Sequence, residues 1–205
     1  QLVAHVAARL VDAAARVADL CAAPGGKAAL LQRLAGPSRL LAADLHPGRT
    51  RLMRRLLAGT GACLLTADAG AAPLAAASWD LVLLDAPCTG TGTLRRHPEL
   101  RWRVTPESID DLGALQQRVL RGATPLVAPG GVLLYATCSI EPEENETHFA
   151  TLPEGFEPRV AVDSRTNLPI KKGCRPLLFP APWSQRAPST VPNRRHSNSR
   201  WQSQC

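Results

Sequence analysis

Apolar runs and helical patterns alternate along the first 150 residues of the chain. Short runs rich in Val, Leu and Ala, typical of buried strands, occur at 16–20, 39–43, 62–66, 80–84 and 132–136. Apolar residues recur at helical spacing at 2–15, 27–36, 47–58 and 106–123. This alternation predicts an α/β fold with a mostly parallel, Rossmann-like sheet and helices on both of its faces.

A chemically capable side chain stands at or just beyond the end of each predicted strand. These residues are Cys21, Asp44, Asp68, Asp85 and Cys138. Because the carboxyl ends of parallel strands meet at one edge, where ligands of α/β proteins bind, we expect a functional site at this edge.

The loop Asp-Leu-Cys-Ala-Ala-Pro-Gly-Gly-Lys, residues 19–27, joins the first strand to a helix. Its small residues and two glycines allow a ligand to approach the backbone, and the helix N-terminus offers unpaired N–H groups. The loop matches neither G-x-G-x-x-G nor the Walker pattern, which disfavours a pyrophosphate or triphosphate site. An ordinary tight turn is the alternative.

Two carboxylates extend the pattern of this loop. Asp44 is placed to accept hydrogen bonds from ribose hydroxyls, and Asp68 could accept one from an adenine amino group. Either alone could be a helix cap. Together with the loop they indicate an adenosine-bearing ligand without a pyrophosphate, and S-adenosyl-L-methionine fits that description.

Two cysteine motifs follow the fourth and fifth predicted strands. Cys88 lies in Asp-Ala-Pro-Cys-Thr-Gly-Thr-Gly and Cys138 in Ala-Thr-Cys-Ser. Adjacent strands would bring both thiols into one cleft, although a single buried cysteine is more often inert. The six cysteines include no Cys-x-x-Cys pair and no metal-type spacing with histidine, so a metal site is not expected.

These motifs resemble the Nol/Nop/Sun family of RNA (cytosine-5) methyltransferases, most closely its bacterial Sun/Fmu type acting on small-subunit ribosomal RNA. The matching segments are 19–27, Asp44, Asp68, 83–102, 129–131 and 135–146, in the order of the family. The resemblance covers roughly residues 1–150. It implies a class I S-adenosylmethionine-dependent methyltransferase, whose sheet in that family has seven strands.

The resemblance also assigns roles to residues. It implies that Cys138 is the nucleophile and that Cys88 assists product release. The cofactor would be bound by Cys21, Ala22, Ala23, Pro24, Gly25, Gly26, Lys27, Asp44, Asp68 and Asp85. The chemistry requires such a thiol, because carbon 5 of cytosine becomes nucleophilic only after a thiolate adds to carbon 6. Asp85, beside Cys88, could hydrogen-bond the cytosine and so act in catalysis.

An arginine-rich loop at 95–103 separates the two cysteine motifs. We expect Arg95, Arg96, His97, Arg101 and Trp102 to contact RNA through its phosphates and by stacking on a base. A merely solvated loop is the alternative. The target cytosine would have to be unpaired or flipped out to reach Cys138.

The net charge of +7, from 24 basic and 17 acidic residues among 205, is unevenly distributed. Residues 164–205 hold eight basic residues and no acidic one, which leaves 16 basic against 17 acidic residues in 1–163. The total is therefore weak evidence for RNA binding. We divide the chain into a catalytic domain, 1–163, and a basic, Pro/Ser-rich tail, 164–205, predicted to be disordered.

The chain departs from the family pattern at both ends. It begins near the helix that precedes the cofactor loop, and 164–205 show no closing strand, so we expect an N-terminal truncation and a missing C-terminal strand. A catalytically weak or inactive RNA-binding remnant is the alternative function. An NAD-dependent enzyme is disfavoured because the glycine fingerprint is absent and both cysteines would be unexplained.

The remaining expectations concern location and assembly. No apolar run approaches the ~20 residues that a membrane span requires, and no signal-peptide pattern is present. We therefore expect a cytoplasmic monomer that binds RNA, without a membrane or a metal ion.

Overall fold

The computed structural model describes residues 2–153, 156, 159–160 and 175–180. They form a seven-stranded sheet in the order β3-β2-β1-β4-β5-β7-β6. The strands are β1 Arg16–Asp19, β2 Arg39–Asp44, β3 Cys63–Thr66, β4 Trp79–Asp85, β5 Val127–Thr137, β6 Arg159–Val160 and β7 Arg175–Pro180. The first five pair in parallel, whereas β7 is antiparallel to both β5 and β6.

Four α-helices lie within the described residues, at positions that agree with the helical patterns of the sequence; the first precedes β1 and the other three connect parallel strands. They are α1 Leu2–Leu10, α2 Gly26–Ala35, α3 Pro47–Leu56 and α4 Pro106–Ala123. The longest, α4, begins at a reciprocal cap in which the Ser108 N–H donates to the Thr105 hydroxyl and the Thr105 N–H donates to the Ser108 hydroxyl. Short 3₁₀ turns occupy Ala69–Ala71, Thr91–Thr93, Pro98–Trp102, Thr124–Leu126, Pro142–Glu144 and Glu146–Thr151.

The central strand β4 carries apolar side chains to both faces of the sheet. Leu81 and Leu83 belong to the core cluster formed with α1, α2 and α3, and Val82 and Leu84 to the cluster formed with α4. All four are fully buried. The uninterrupted apolar run thus has its physical reason, and the expectation of a parallel sheet covered on both faces is confirmed.

The strand β5 is longer than its apolar pattern indicates. It begins at Val127 rather than Val132 and includes the Pro129-Gly130-Gly131 segment, which resembles a turn in the sequence. Its register against β4 shifts between Trp79 and Leu81. A Cβ at Gly131 would lie 2.9 Å from the Asp80 carbonyl oxygen, so the irregularity requires glycine there.

The expectation that 164–205 contain no closing strand is wrong for six residues. The strand β7 pairs along β5 from Val132↔Pro180 to Thr137↔Arg175. An apolar run, Leu177-Leu178-Phe179, lies within β7, and its pairing covers an edge that β5 would otherwise leave exposed. The rest of 164–205 lies outside the described residues, and its predicted disorder stays a prediction. No helix within the described ranges is long and apolar enough to cross a membrane.

The close packing of α4 on the Ala69–Ala71 turn generates a stability prediction. A Cβ at Gly122 would lie 2.4 Å from the Gly70 carbonyl oxygen, a backbone atom that cannot move aside cheaply. We expect Gly122→Ala to lower the free energy of unfolding by about 1–3 kcal/mol in urea titrations. In the matched control Gly48→Ala no atom lies within 4 Å of the new Cβ, so no loss is expected. Equal stability of the two variants would contradict the packing argument.

Candidate active site

A cavity of about 450 Å³ opens at the carboxyl edge of the parallel strands. The structure brings seven of the predicted site residues to its wall: Cys21, Ala23, Asp44, Asp68, Asp85, Cys88 and Cys138. They come from the ends of five strands that are remote in sequence but adjacent in the sheet. The volume lies within the range of ligand sites in proteins.

The two thiols of the cysteine motifs are in contact. The Sγ atoms of Cys88 and Cys138 are 3.1 Å apart, and the backbone N–H of Cys138 donates to the Cys88 Sγ at 3.2 Å. The Gly92 N–H also donates to the Cys138 carbonyl oxygen at 2.9 Å. The loops that follow β4 and β5 are therefore tied together around the sulfur atoms.

This contact differentiates the two thiols. The hydrogen bond with the Cys88 thiol lowers the pKa of Cys138 below its ordinary value, against the opposing effects of burial and of the Asp85 charge. The same hydrogen bond, together with burial, raises the pKa of Cys88 far above its ordinary value. Of the two, Cys138 is therefore favoured as the thiolate and Cys88 as the proton donor. Burial raises the pKa of the third free cysteine, Cys21, to about 12.

The glycine-containing loop contributes only part of the predicted set to the cavity wall. Cys21 and Ala23 line it, whereas Ala22, Pro24, Gly25, Gly26 and Lys27 do not. The Ala22 N–H is bound to the Ala43 carbonyl of β2, and the chain turns at Gly25, with φ of 105°, into α2. Lys27, the second residue of that helix, forms an ion pair with Asp85.

The carboxylates beyond the second and third strands have different partners. Asp44 is buried, and one of its oxygens accepts the His46 N–H at 3.0 Å. Asp68 accepts the Gly70 N–H at 2.8 Å and the Arg118 guanidinium at 2.6 Å. The hydrogen bond from Arg118 is the main reason that the pKa of Asp68 is lowered.

A fourth carboxylate, Asp19, was not singled out from the sequence. It ends β1 and is fully buried, and among the described residues its oxygens have no hydrogen-bond partner beyond a weak interaction with the Cys21 N–H. Burial, followed by repulsion from Asp85, raises the pKa of Asp19 to about 7. An acidic residue closing an otherwise apolar strand was the available signal. Arg118 and the buried Glu144 were missed as well, because their partners are set by tertiary contacts.

The arginine-rich loop lies on the surface, outside the cavity wall. Arg95, Arg96, His97, Arg101 and Trp102 are exposed, Trp102 by 85%. Within the described residues no carboxylate pairs with the three arginines, and His97 contacts Glu99 at 3.3 Å. A Cβ at Gly90 would lie 3.4 Å from Leu100 Cδ1 and 3.7 Å from Cys138 Sγ, so this loop borders the thiol pair. The described part of the chain contains no cluster of potential metal ligands.

Comparison with known proteins shows similarity over most of the described chain. The model of the family "16S rRNA methyltransferase RsmB/F" matches residues 10–157. Ribosomal RNA small subunit methyltransferase B of Erwinia tasmaniensis is 41% identical over 138 residues, which cover 65% of this chain and 32% of the relative. The chain therefore spans about a third of the length of the curated relatives that it matches.

Solved structures share the fold. PH0851 superposes with a TM-score of 0.75 and 32% identity over 87% of this chain and 45% of that protein. NSun6 of Pyrococcus horikoshii, solved with SFG, superposes with a TM-score of 0.71 and 26% identity over 87% of this chain and 51% of that one. The class I methyltransferase fold expected from the sequence is confirmed.

The inequality of the thiols generates a prediction about their reactivity. We expect the rate of Cys138 alkylation by iodoacetamide to rise with pH, with a midpoint below that of an ordinary cysteine because the hydrogen bond with Cys88 lowers the pKa of Cys138. Cys88→Ala removes the hydrogen bond that stabilises the thiolate, so the midpoint rises toward the ordinary value and the rate at pH 7 falls by about tenfold. Peptide mass spectrometry follows each thiol, and Cys21 serves as an unreactive internal control. An unchanged midpoint in Cys88→Ala would refute the hydrogen-bond assignment.

Proposed function

The chain belongs to the 16S rRNA methyltransferase RsmB/F family, and we propose that it transfers a methyl group from S-adenosylmethionine to carbon 5 of a cytosine in ribosomal RNA. One observation carries this proposal. Two thiols of opposite protonation preference stand 3.1 Å apart at the ends of neighbouring strands, in the wall of the cavity that the carboxylates also line. Attack by one thiolate and assistance from a second thiol is the chemistry that this arrangement favours.

The residues at the cavity fit the cofactor. Asp44 uses one oxygen on His46 and has capacity for ribose hydroxyls, and Asp68 can accept further hydrogen bonds from an adenine amino group. Asp19 does not line the cavity but lies buried behind its wall, two residues before Cys21, where its carboxylate would attract a cationic amino group. The structural relative NSun6 was solved with SFG, an analogue of S-adenosylmethionine, which supports the same ligand class here.

Bound S-adenosylmethionine would supply an electrophilic methyl group on its sulfonium, and the thioether S-adenosylhomocysteine would be the leaving group of the transfer. The Cys138 thiolate adds to carbon 6 of the cytosine, forming the S–C6 bond and moving the C5=C6 electron pair onto carbon 5, which then takes the methyl group. Loss of the C5 proton to water regenerates the double bond and breaks the S–C6 bond. Cys88, which keeps its proton, donates a hydrogen bond to the departing Cys138 sulfur and so stabilises it as a thiolate.

Two further groups act on the RNA in this proposal. Asp85, which lines the cavity beside Cys88, accepts a hydrogen bond from the cytosine amino group while Lys27 holds its other side. The exposed residues Arg95, Arg96 and Arg101 bind phosphates, and Trp102 stacks on a base next to the flipped cytosine. The surface position of this loop, bordering Cys138, supports that assignment.

A methylation assay with the full chain tests the reaction. With labelled S-adenosylmethionine and unmodified small-subunit ribosomal RNA we expect 5-methylcytosine, identified by nucleoside mass spectrometry. Cys138→Ala should abolish both methylation and the covalent RNA–protein adduct, whereas Cys88→Ala should accumulate the adduct because release slows. A reaction without RNA is the control. Equal methylation by Cys138→Ala, or label on another atom of the base, would reject the proposal.

The cofactor site yields a separate prediction at Asp19. Because its pKa is about 7 in the folded state and near 4 in the unfolded state, the buried charge lowers stability progressively as pH rises from about 4 to 7, and the loss stays constant at higher pH. Asp19→Asn should therefore be at least as stable as the wild type at pH 8, yet bind S-adenosylmethionine about tenfold more weakly in calorimetry.

Asp12→Asn provides the matched control for this substitution, because Asp12 is exposed and lines a different pocket. It should leave the affinity for S-adenosylmethionine unchanged. Unaltered affinity in Asp19→Asn would remove that residue from the site. A wild-type chain that binds no cofactor at all would instead favour the alternative of an inactive RNA-binding remnant.

A further inference from the structure

A buried carboxylate outside the cavity wall accepts hydrogen bonds from the loop that carries Cys88. Glu144 follows β5 and is fully buried. The Thr89 N–H donates to its Oε1 at 2.9 Å, and the Thr89 hydroxyl donates to its Oε2. Both carboxylate oxygens are therefore occupied by the residue that follows Cys88 in the chain.

The side chain of Gln116, in α4, holds the other flank of Cys88. Its Nε2 donates to the Pro87 carbonyl at 2.8 Å and to Glu144 Oε1 at 3.0 Å. The residues before and after Cys88 are thus bound by one pair of buried side chains. We propose that Glu144 is a positioning residue that, through Thr89 and Gln116, holds the Cys88 thiol against Cys138.

The far side of this pair is also fixed. The Tyr135 hydroxyl donates to the Glu144 carbonyl at 2.8 Å. His148 Nε2 lies 2.9 Å from Gln116 Oε1, and because that oxygen can only accept, the imidazole proton resides on Nε2. The Nδ1 of His148 is buried without a hydrogen-bond partner, and burial lowers the pKa of this histidine, so the ring is neutral. The amide of Gln116 therefore has one orientation, with its NH₂ group toward Cys88.

Burying a carboxyl group in this position lowers the stability of the fold, so its presence indicates a specific role. Apolar residues of similar volume would fill the same space without the desolvation penalty of a carboxylate. The carboxylate oxygens of the fully buried Glu144 accept hydrogen bonds from Thr89, in the loop of Cys88, and from Gln116. This distribution favours a role in placing that loop over a role in general stability.

Electrostatics and positioning have opposite effects on Cys138. The titratable groups that face Cys138 are Cys88, Asp85 and Glu144. Both carboxylates oppose its ionisation, and the hydrogen bond with the Cys88 side chain is the largest effect that offsets them, with a smaller contribution from a backbone N–H. Removing the Glu144 charge alone would therefore ease ionisation of Cys138, whereas releasing the Cys88 loop would hinder it.

This opposition of sign defines the experiment. In the full chain carrying Glu144→Gln we expect the midpoint of the pH profile of Cys138 alkylation to rise by about one pH unit, because the hydrogen bond from Cys88 weakens. Peptide mass spectrometry measures the rates. The matched control is Glu143→Gln, which removes the same charge from the exposed neighbouring position and should leave the midpoint unchanged.

A second variant guards against a folding defect in the first. Gln116→Met preserves the net charge and the approximate volume but removes the amide bonds to Pro87 and Glu144. It should raise the midpoint in the same direction, with circular dichroism matching the wild type. A midpoint that is unchanged or lowered in Glu144→Gln overturns the proposal. If Glu144→Gln does not fold, an unchanged or lowered midpoint in Gln116→Met overturns the proposal.

The inference rests on the proposed function for what the two cysteines accomplish, but its test does not. Alkylation of Cys138 requires neither RNA nor S-adenosylmethionine. A failed methylation assay with a raised midpoint would reject the reaction and retain the positioning role. An unchanged midpoint with normal methylation would reject the positioning role and retain the proposed reaction.

Discussion

The parallel pairing of β4 with β5 determines where the loops of Cys88 and Cys138 lie relative to each other. Asp85 lies opposite Ala136, and the Ala86 N–H continues the ladder to the Ala136 carbonyl at 2.8 Å. Cys88 comes three residues after Asp85, and Cys138 two residues after Ala136. A slip of one residue would turn the Cys138 loop toward the other face of the sheet. The buried side chains of Leu83 and Leu134, which pair two residues before Asp85 and Ala136, make such a slip costly because they would lose their core positions.

Long-range charge and short-range hydrogen bonding act against each other at this edge. The carboxylates of Asp19, Asp44 and Asp85 create a negative potential that favours a cationic ligand. Burial, which has the larger effect, and this potential together raise the pKa of the Cys21 thiol. The proposed reaction nevertheless requires an anionic sulfur at the same edge. Direct contact resolves the conflict, because a charge-assisted hydrogen bond from Cys88 at 3.1 Å outweighs the repulsion from carboxylates farther away.

Sequence patterns predicted the five parallel strands and the convergence of their ends, because burial period and strand direction are local properties. They could not predict the contacts of Glu144, whose partners Thr89 and Gln116 lie 55 and 28 residues away in the chain. In the sequence, Glu144 belongs to a run of acidic residues that resembles a solvated surface. The strand β7 was missed for a related reason, since a short apolar run among Pro, Ser and basic residues acquires its meaning only from the edge of β5.

The local arrangement of charge, rather than the net charge of +7, bears on the binding of the proposed RNA substrate. Residues 1–163 are nearly neutral. The cavity wall holds carboxylates, among them Asp44 and Asp85, together with Arg49 and Arg118. Further arginines are exposed at 95–103 and on α3, at Arg51, Arg54 and Arg55. A polyanion that met only the carboxylates would be repelled, so the proposed RNA substrate requires cationic groups that hold its phosphates while only the neutral base enters. The local placement of arginines, rather than a basic total, meets this requirement.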